Sequence, residues 1–290
     1  IISLSFVKRA QDVTELKLLI AKVQEELGLP KRSIPVVAKI ERPEAMQNLA
    51  EIVEAADIIM VARGDLGLEL PISSLPVEQK TIVAAARRAA KPVIVATQLL
   101  YTMEHNPRPT RAEVSDIGNA VVDHADGLLL TNETAMGHYP IDALSMMRDT
   151  VLSMEESTFD DGERPEEKLS ISSVQEVLSG VSEKLAEETD AKLVLAFSKS
   201  GELARYLSHH HVRVPVVVGS SSTFVRAYNA VMWGLETLVV DEPKNFEDFV
   251  GKALKNLIAA KRLKKGDRII VASAEKCGSE EAKIVEMREA

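Results

Sequence analysis

The chain has 290 residues, of which 46% are hydrophobic and 27% charged, an ordinary globular composition whose length suits about two domains. A net charge of −9 and a pI near 5.3 disfavour nonspecific binding to nucleic acid or anionic membranes, and require any anionic substrate to be held by local cations. The single Cys277 excludes an internal disulfide framework and fits a reducing cytoplasm, and neither a signal peptide nor a membrane-spanning apolar run is present.

The chain opens on Ile1-Ile2-Ser3-Leu4-Ser5-Phe6-Val7, a strand-like run with no cap or initiator Met before it, so a piece of a longer polypeptide is expected. Further strand-like runs at 34–40, 57–62, 92–96 and 126–130 alternate with helical patterns near 10–27, 43–55 (broken), 74–90, 110–124 and 140–156. Alternation of this kind predicts a parallel sheet covered by helices. Residues 158–168 are acidic and without apolar period, and read as a linker. A smaller α/β pattern follows over 169–290: helix 170–188, strand 192–197, helix 201–209, strand 213–218, helix 222–232, strand 236–240, helix 246–261, strand 267–272 and a last strand near 282–288.

The chemistry concentrates at two strand ends. Val36-Val37-Ala38-Lys39-Ile40-Glu41 places Lys39 and Glu41 on one side of a strand, because side chains alternate. Met60-Val61-Ala62-Arg63-Gly64-Asp65-Leu66-Gly67 ends the next strand in a glycine-bracketed carboxylate. Charges are costly to bury without a partner, and ligands in parallel α/β folds sit outside the carboxyl ends of the strands. An isolated Lys-x-Glu also serves as a simple ion-pair cap. The second strand end favours a site, since Glu41 and Asp65 offer two hard oxygen ligands of the kind Mg²⁺ takes when substrate supplies the rest. Gly64 and Gly67 let backbone N–H groups approach an anion at a helix start.

Five blocks in order, 35–46 (PVVAKIERPEAM), 59–71 (IMVARGDLGLELP), 96–98 (ATQ), 106–116 (NPRPTRAEVSD) and 131–140 (TNETAMGHYP), resemble pyruvate kinase, and weaker similarity continues to the C-terminus. The resemblance implies a partial (β/α)8 TIM barrel over 1–157, with about five of the eight units, followed by the family's C-terminal α/β regulatory domain. The first three barrel units and the inserted lid domain would be absent. It further implies phosphoryl transfer from phosphoenolpyruvate to ADP, giving pyruvate and ATP in a cytoplasmic glycolytic enzyme that forms homotetramers. Lys39 would be the catalytic lysine, Glu41 and Asp65 the Mg²⁺ ligands, and the backbone of Ala62, Arg63, Gly64 and Asp65 the seat of the substrate carboxylate. Thr97 would contact substrate near the proton relay, although a Thr at a strand end is as often a helix cap. K⁺ and nucleotide ligands would lie mostly outside this chain, so alone it is expected to show little or no kinase turnover.

Thr110 and Glu113 are spaced as a capping box, and Arg108 before them suits either a structural loop or a subunit contact. Asn132 and Met136 depart from the family's usual Gly and Lys, and Asn132 adds bulk beside the site. In the second domain Ser198, Lys199, Ser200 and Gly201 make a candidate effector-phosphate cradle at a helix start, although Glu202 suits a plainly capped helix better. His209-His210-His211 reads as a solvated helix end and not as a metal site. Two other readings stay open. One is a non-catalytic homologue acting as a binding or regulatory subunit; the other is a Mg²⁺-dependent pyruvate aldolase barrel.

Overall fold

A computed structural model describes residues 1–31, 33–159 and 173–290, and the chain divides into two compact units, Ile1–Lys168 and Leu169–Ala290. The expected linker lies, from residue 160 on, outside the described residues.

In the first unit, strands β1 (Ile2–Leu4), β2 (Val36–Ile40), β3 (Ile58–Ala62), β4 (Val93–Ala96) and β5 (Gly127–Leu129) form one sheet in chain order, and every pairing is parallel. Between them run helices α1 (Ala10–Glu26), α2 (Pro43–Gln47), α3 (Leu49–Ala55), α4 (Arg63–Glu69), α5 (Leu75–Arg88) and α6 (Arg111–Val122), with α7 (Asn132–Ala135) and α8 (Pro140–Glu155) after β5. β3 is buried at every position, which is why it reads as a continuous apolar run without alternation. The break expected within 43–55 falls at Asn48, which ends α2 and starts α3. Thr110 caps α6, accepting from Glu113 N while Glu113 accepts from Thr110 N. Ile40, Ile52, Ile59, Leu66, Ile82, Leu99 and Ile117 anchor the core under this sheet.

In the second unit the sheet order is β10-β9-β6-β7-β8, from β6 (Val194–Phe197), β7 (Val216–Ser220), β8 (Leu235–Val239), β9 (Arg268–Cys277) and β10 (Glu280–Glu289). All pairings are parallel except the β9–β10 hairpin. The helices are α9 (Val174–Glu188), α10 (Glu202–His209), α11 (Thr223–Asn229) and α12 (Phe246–Ala259). Alternation along β6 sends Leu195 and Phe197 into the cluster of Phe246 and Phe249, and Val194 and Ala196 into the cluster of Leu203 and Leu207. Gly219 is required here because a Cβ would overlap the Phe249 ring.

Two expectations need correction. The strand expected at 267–272 continues to Cys277, because the antiparallel partner β10 extends the ladder. The histidines are half-buried structural groups and not a solvated turn. His210 Nδ1 lies 2.9 Å from the Glu183 carboxylate and the His211 ring stacks on Trp233 at 4.3 Å. They point to different partners, and no metal-binding group of His, Cys, Asp or Glu exists among the described residues. No described helix is long and apolar enough to cross a membrane.

Candidate active site

Parallel pairing in register (Lys39 with Met60, Ile40 with Val61) brings the carboxyl ends of β2 and β3 side by side. Glu41 follows β2 directly, and Asp65 sits in the first turn of α4, directly after β3. The Lys39 ammonium forms an ion pair with Glu41 Oε1, as their shared side of the strand predicts. The Glu41 side chain is 0% exposed and that of Lys39 23%.

The loop after β1 completes this corner, and sequence reasoning missed it. Phe6 N donates to Glu41 Oε2 at 2.6 Å, and Lys39 Nζ donates to Ser5 Oγ at 3.0 Å. Phe6 holds a left-handed backbone, φ +58°, a conformation uncommon for a non-glycine residue. Its ring lies under the Arg42 guanidinium at 5.1 Å. Nothing in Ser5-Phe6 announces this, because the contacts arise only when β1 pairs with β2.

Glu41 Oε1 is buried with no hydrogen-bond partner among the described residues, facing the Lys39 charge alone. The Asp65 carboxylate has neither a hydrogen bond nor an ion pair among them. A buried oxygen without a hydrogen bond and an uncommitted carboxylate on the adjacent strand end are hard donors suited to Mg²⁺.

Thr97 directly follows β4, and its Oγ1 accepts from Gly64 N at 2.7 Å. It heads no helix of its own, but satisfies a first-turn N–H of α4 from the neighbouring strand end. Its φ is +73° and that of Gln98 +55°, a costly conformation for a β-branched residue, worth about 1–3 kcal/mol. A Cβ on Gly64 would meet Thr97 Oγ1 at 3.3 Å, so the glycine serves close approach here. Sequence places the backbone of Arg63 at an anion; its guanidinium is turned into the protein and bonds to Thr97 O, Gln98 O and Asp116. Opposite, the Glu133 carboxylate is 1% exposed and accepts from Leu100 N and Thr131 N. The three strand ends and the 97–100 turn therefore meet at the carboxyl edge of the sheet.

The profile described as pyruvate kinase, barrel domain, matches residues 1–144, and that described as pyruvate kinase, alpha/beta domain, matches 176–285. The chain belongs to the pyruvate kinase family. Relatives named pyruvate kinase include those of Mycobacterium tuberculosis, 39% identical over 94% of this chain, and Corynebacterium glutamicum, 38% identical over 94%. This chain spans 56% and 55% of their lengths. A crystal structure of a pyruvate kinase from Cryptosporidium parvum superposes with a TM-score of 0.87 at 29% identity, covering 99% of this chain and 58% of that one. Another from that organism, in complex with ADP, gives 0.84 at 28% identity.

Against the family pattern, Asn132 opens α7 with its side chain exposed and a negative φ, so no glycine is demanded there. Met136 is 67% exposed. Both departures from the family pattern are thus exposed side chains.

The candidate phosphate cradle is occupied from within the chain. Ser198, Lys199, Ser200 and Gly201 do form a cup at the start of α10, but a carboxylate of the same chain fills it. Glu275 Oε2 accepts from Lys199 N and Ser200 N, each at 2.9 Å, while Glu275 Oε1 accepts from Ser198 Oγ at 3.0 Å and from Ser200 Oγ. The Lys199 ammonium is drawn to Glu242 at 2.7 Å, and this bond, with one from Ser221, holds the Glu242 carboxyl below its usual range. Sequence could not reveal this, since Glu275 lies over 70 residues away on β9. Glu275→Ala is expected to destabilise the second unit by roughly 2 kcal/mol, the scale of hydrogen bonds to a charged acceptor. Inorganic phosphate should return part of that loss in thermal melts while leaving the wild type unmoved. An equal phosphate shift in both would show that Glu275 does not occupy the cup.

Cys277, near the same hairpin, is buried, and burial pushes its thiol up to about 11. It is an inert core residue.

Proposed function

We propose that this chain carries the substrate side of a pyruvate kinase, handling phosphoenolpyruvate and the enolate of pyruvate at the corner formed by Lys39, Glu41, Asp65 and Thr97. One observation carries the reading: a buried Glu41 oxygen with no hydrogen bond lies against the Lys39 ammonium, one strand from the uncommitted Asp65.

In the forward reaction the ester P–O bond of phosphoenolpyruvate breaks and the phosphoryl group passes to a terminal oxygen of ADP. The enolate left behind takes a proton at its methylene carbon. Lys39 supplies a compact positive charge for the phosphoryl and enolate oxygens. It is kept in place by Ser5 and Glu41. Glu41 and Asp65 would hold Mg²⁺, and when bound the ion supplies Lewis-acid stabilisation of the substrate oxygens. Gly64 N–H is committed to Thr97, so the substrate carboxylate relies on the other amides of this segment. Because Thr97 Oγ1 accepts from Gly64 N, its own O–H remains a donor, the polarity a proton relay to the enolate needs.

ADP and ATP as the nucleotide pair, K⁺ as the monovalent cation, a glycolytic role in the cytoplasm and a homotetrameric assembly belong to the same reading. Family membership is their support, together with the ADP bound in the Cryptosporidium relative.

Enolisation of pyruvate needs only the substrate side, so it tests the chain directly. Pyruvate in D2O with this chain and Mg²⁺ is expected to lose its methyl ¹H signal, and to keep it when Mg²⁺ is chelated or oxalate added. Oxalate binding without methyl exchange would favour the non-catalytic reading. Nucleotide-independent cleavage of an aldol would favour the aldolase.

A further inference from the structure

The geometry points to Arg63 as a positioning residue, a clamp that holds Thr97 and Gln98 left-handed so that the Thr97 hydroxyl faces its task as a donor. This rests on the reading of Thr97 as part of the proton relay.

Arg63 is 7% exposed, and each of its three nitrogens is engaged. Nε donates to Thr97 O at 3.2 Å. Nη2 donates to the same oxygen at 2.8 Å and to Gln98 O at 3.2 Å. Nη1 reaches Asp116 Oδ2, with Gln79 Oε1 at 3.5 Å, the limit of a bond. These contacts account for all five N–H donors of a guanidinium. Its charge is met by Asp116, so the side chain has no donor left for a substrate.

Two successive carbonyls aimed at one guanidinium coincide with two successive non-glycine residues at positive φ. Such backbone persists only where its surroundings over-determine it. Here the determinants are the Arg63 fork below the two carbonyls and Gly64 N on the Thr97 hydroxyl. Arg63 and Gly64 are neighbours at the start of α4, so one short segment grips the Thr97 backbone with a side chain and its hydroxyl with an amide. A lysine could not substitute, because an ammonium is a point charge and not a planar fork.

The test compares Arg63→Lys, Gln98→Gly and the double variant with the wild type. Three readouts are used: pyruvate methyl exchange per folded molecule, the dissociation constant of Mg²⁺–oxalate, and hydrogen-exchange protection of the Gly64 amide. Arg63→Lys is expected to slow exchange about 100-fold, the scale of a small misplacement of a reacting group. Oxalate affinity should stay within about threefold, giving a rate-against-binding split. The Gly64 amide should lose protection. Glycine enters the left-handed region at no steric cost, so Gln98→Gly in the Arg63→Lys background should return at least about tenfold of the lost rate. An Arg63 that only supports the fold would let Gln98→Gly restore melting temperature and not rate.

Wild-type exchange rates in Arg63→Lys, or full Gly64 protection, would overturn the clamp alone. A wild type that binds Mg²⁺–oxalate but exchanges no methyl protons would overturn the relay itself, and the function of the clamp with it. If Arg63→Lys does not fold, Asp116→Asn loosens the same guanidinium. It should shift rate, and not oxalate affinity, by about 3–10-fold in the same direction, and an unchanged rate there overturns the clamp.

Discussion

Lys39→Met is expected to reduce Mg²⁺-dependent pyruvate exchange by at least about 10³-fold, the effect of removing a preorganised charge at a developing oxyanion. It should also destabilise the first unit, for a separate reason. Glu41 has no exposed surface, and without Lys39 one of its oxygens keeps only the 2.6 Å bond from Phe6 N while the other faces nothing. Removing one partner of a buried ion pair costs about 3–5 kcal/mol, read here at the low end because Lys39 is partly exposed. The double variant Lys39→Met/Glu41→Gln separates the two effects, regaining most of the stability in urea denaturation and none of the exchange. Mg²⁺ should stabilise Lys39→Met more than the wild type, since a bound cation would stand where the ammonium stood. Unchanged stability in Lys39→Met would mean that the Glu41 charge is solvated or neutral, and the assignment of a buried, ligand-ready carboxylate would fall.

Gly278→Ala should produce the largest loss of stability in the second unit. Gly278 turns the β9–β10 hairpin at φ +59°, and a Cβ there would overlap the carbonyl oxygens of Lys244 and Pro243. Backbone cannot yield as a flexible side chain can. Lys244 O already accepts from Ser279 N at 3.0 Å, and Lys244 leads into Asn245, the N-cap of α12. Gly234 is the internal control. It also has positive φ, +70°, but nothing lies within 4 Å of its Cβ position. Gly234→Ala should cost about 1–2 kcal/mol, the left-handed penalty alone, and Gly278→Ala at least about 3 kcal/mol because overlap adds to it. Denaturation midpoints at constant m-value compare them. Equal losses at the two sites would mean that the hairpin tip can move away from the 243–245 loop. The Gly278→Ala hairpin should also displace Glu275, three residues back on β9, from the cup before α10, so phosphate should rescue it in part.

Much of this molecule was legible before its structure. Strands and helices of the first unit fall within a few residues of their expected places, because its strands are short, largely apolar runs between helical patterns, and caps such as Thr110–Glu113 are local. The Lys39–Glu41 pair was legible too, since alternation along one strand needs no tertiary information. The short α7 and the full length of β9 were not. The first is four residues held by the buried Glu133, and the second is extended by a partner strand.

By itself, then, the sequence determined the family, the order of the parallel elements and which charged residues end the strands, because each depends on local pattern or on motif order. Only the tertiary structure decided which partners these charged groups met. The Arg63 side chain, for which the sequence pattern offered no partner, grips the backbone of Thr97 and Gln98. The phosphate cup holds Glu275, and the loop after β1 supplies Ser5 and Phe6 to Lys39 and Glu41. The physical reason is common to all three. A charge or an amide removed from water must find a partner, and which partner lies within reach is set by chain folding over tens of residues, not by spacing along the sequence.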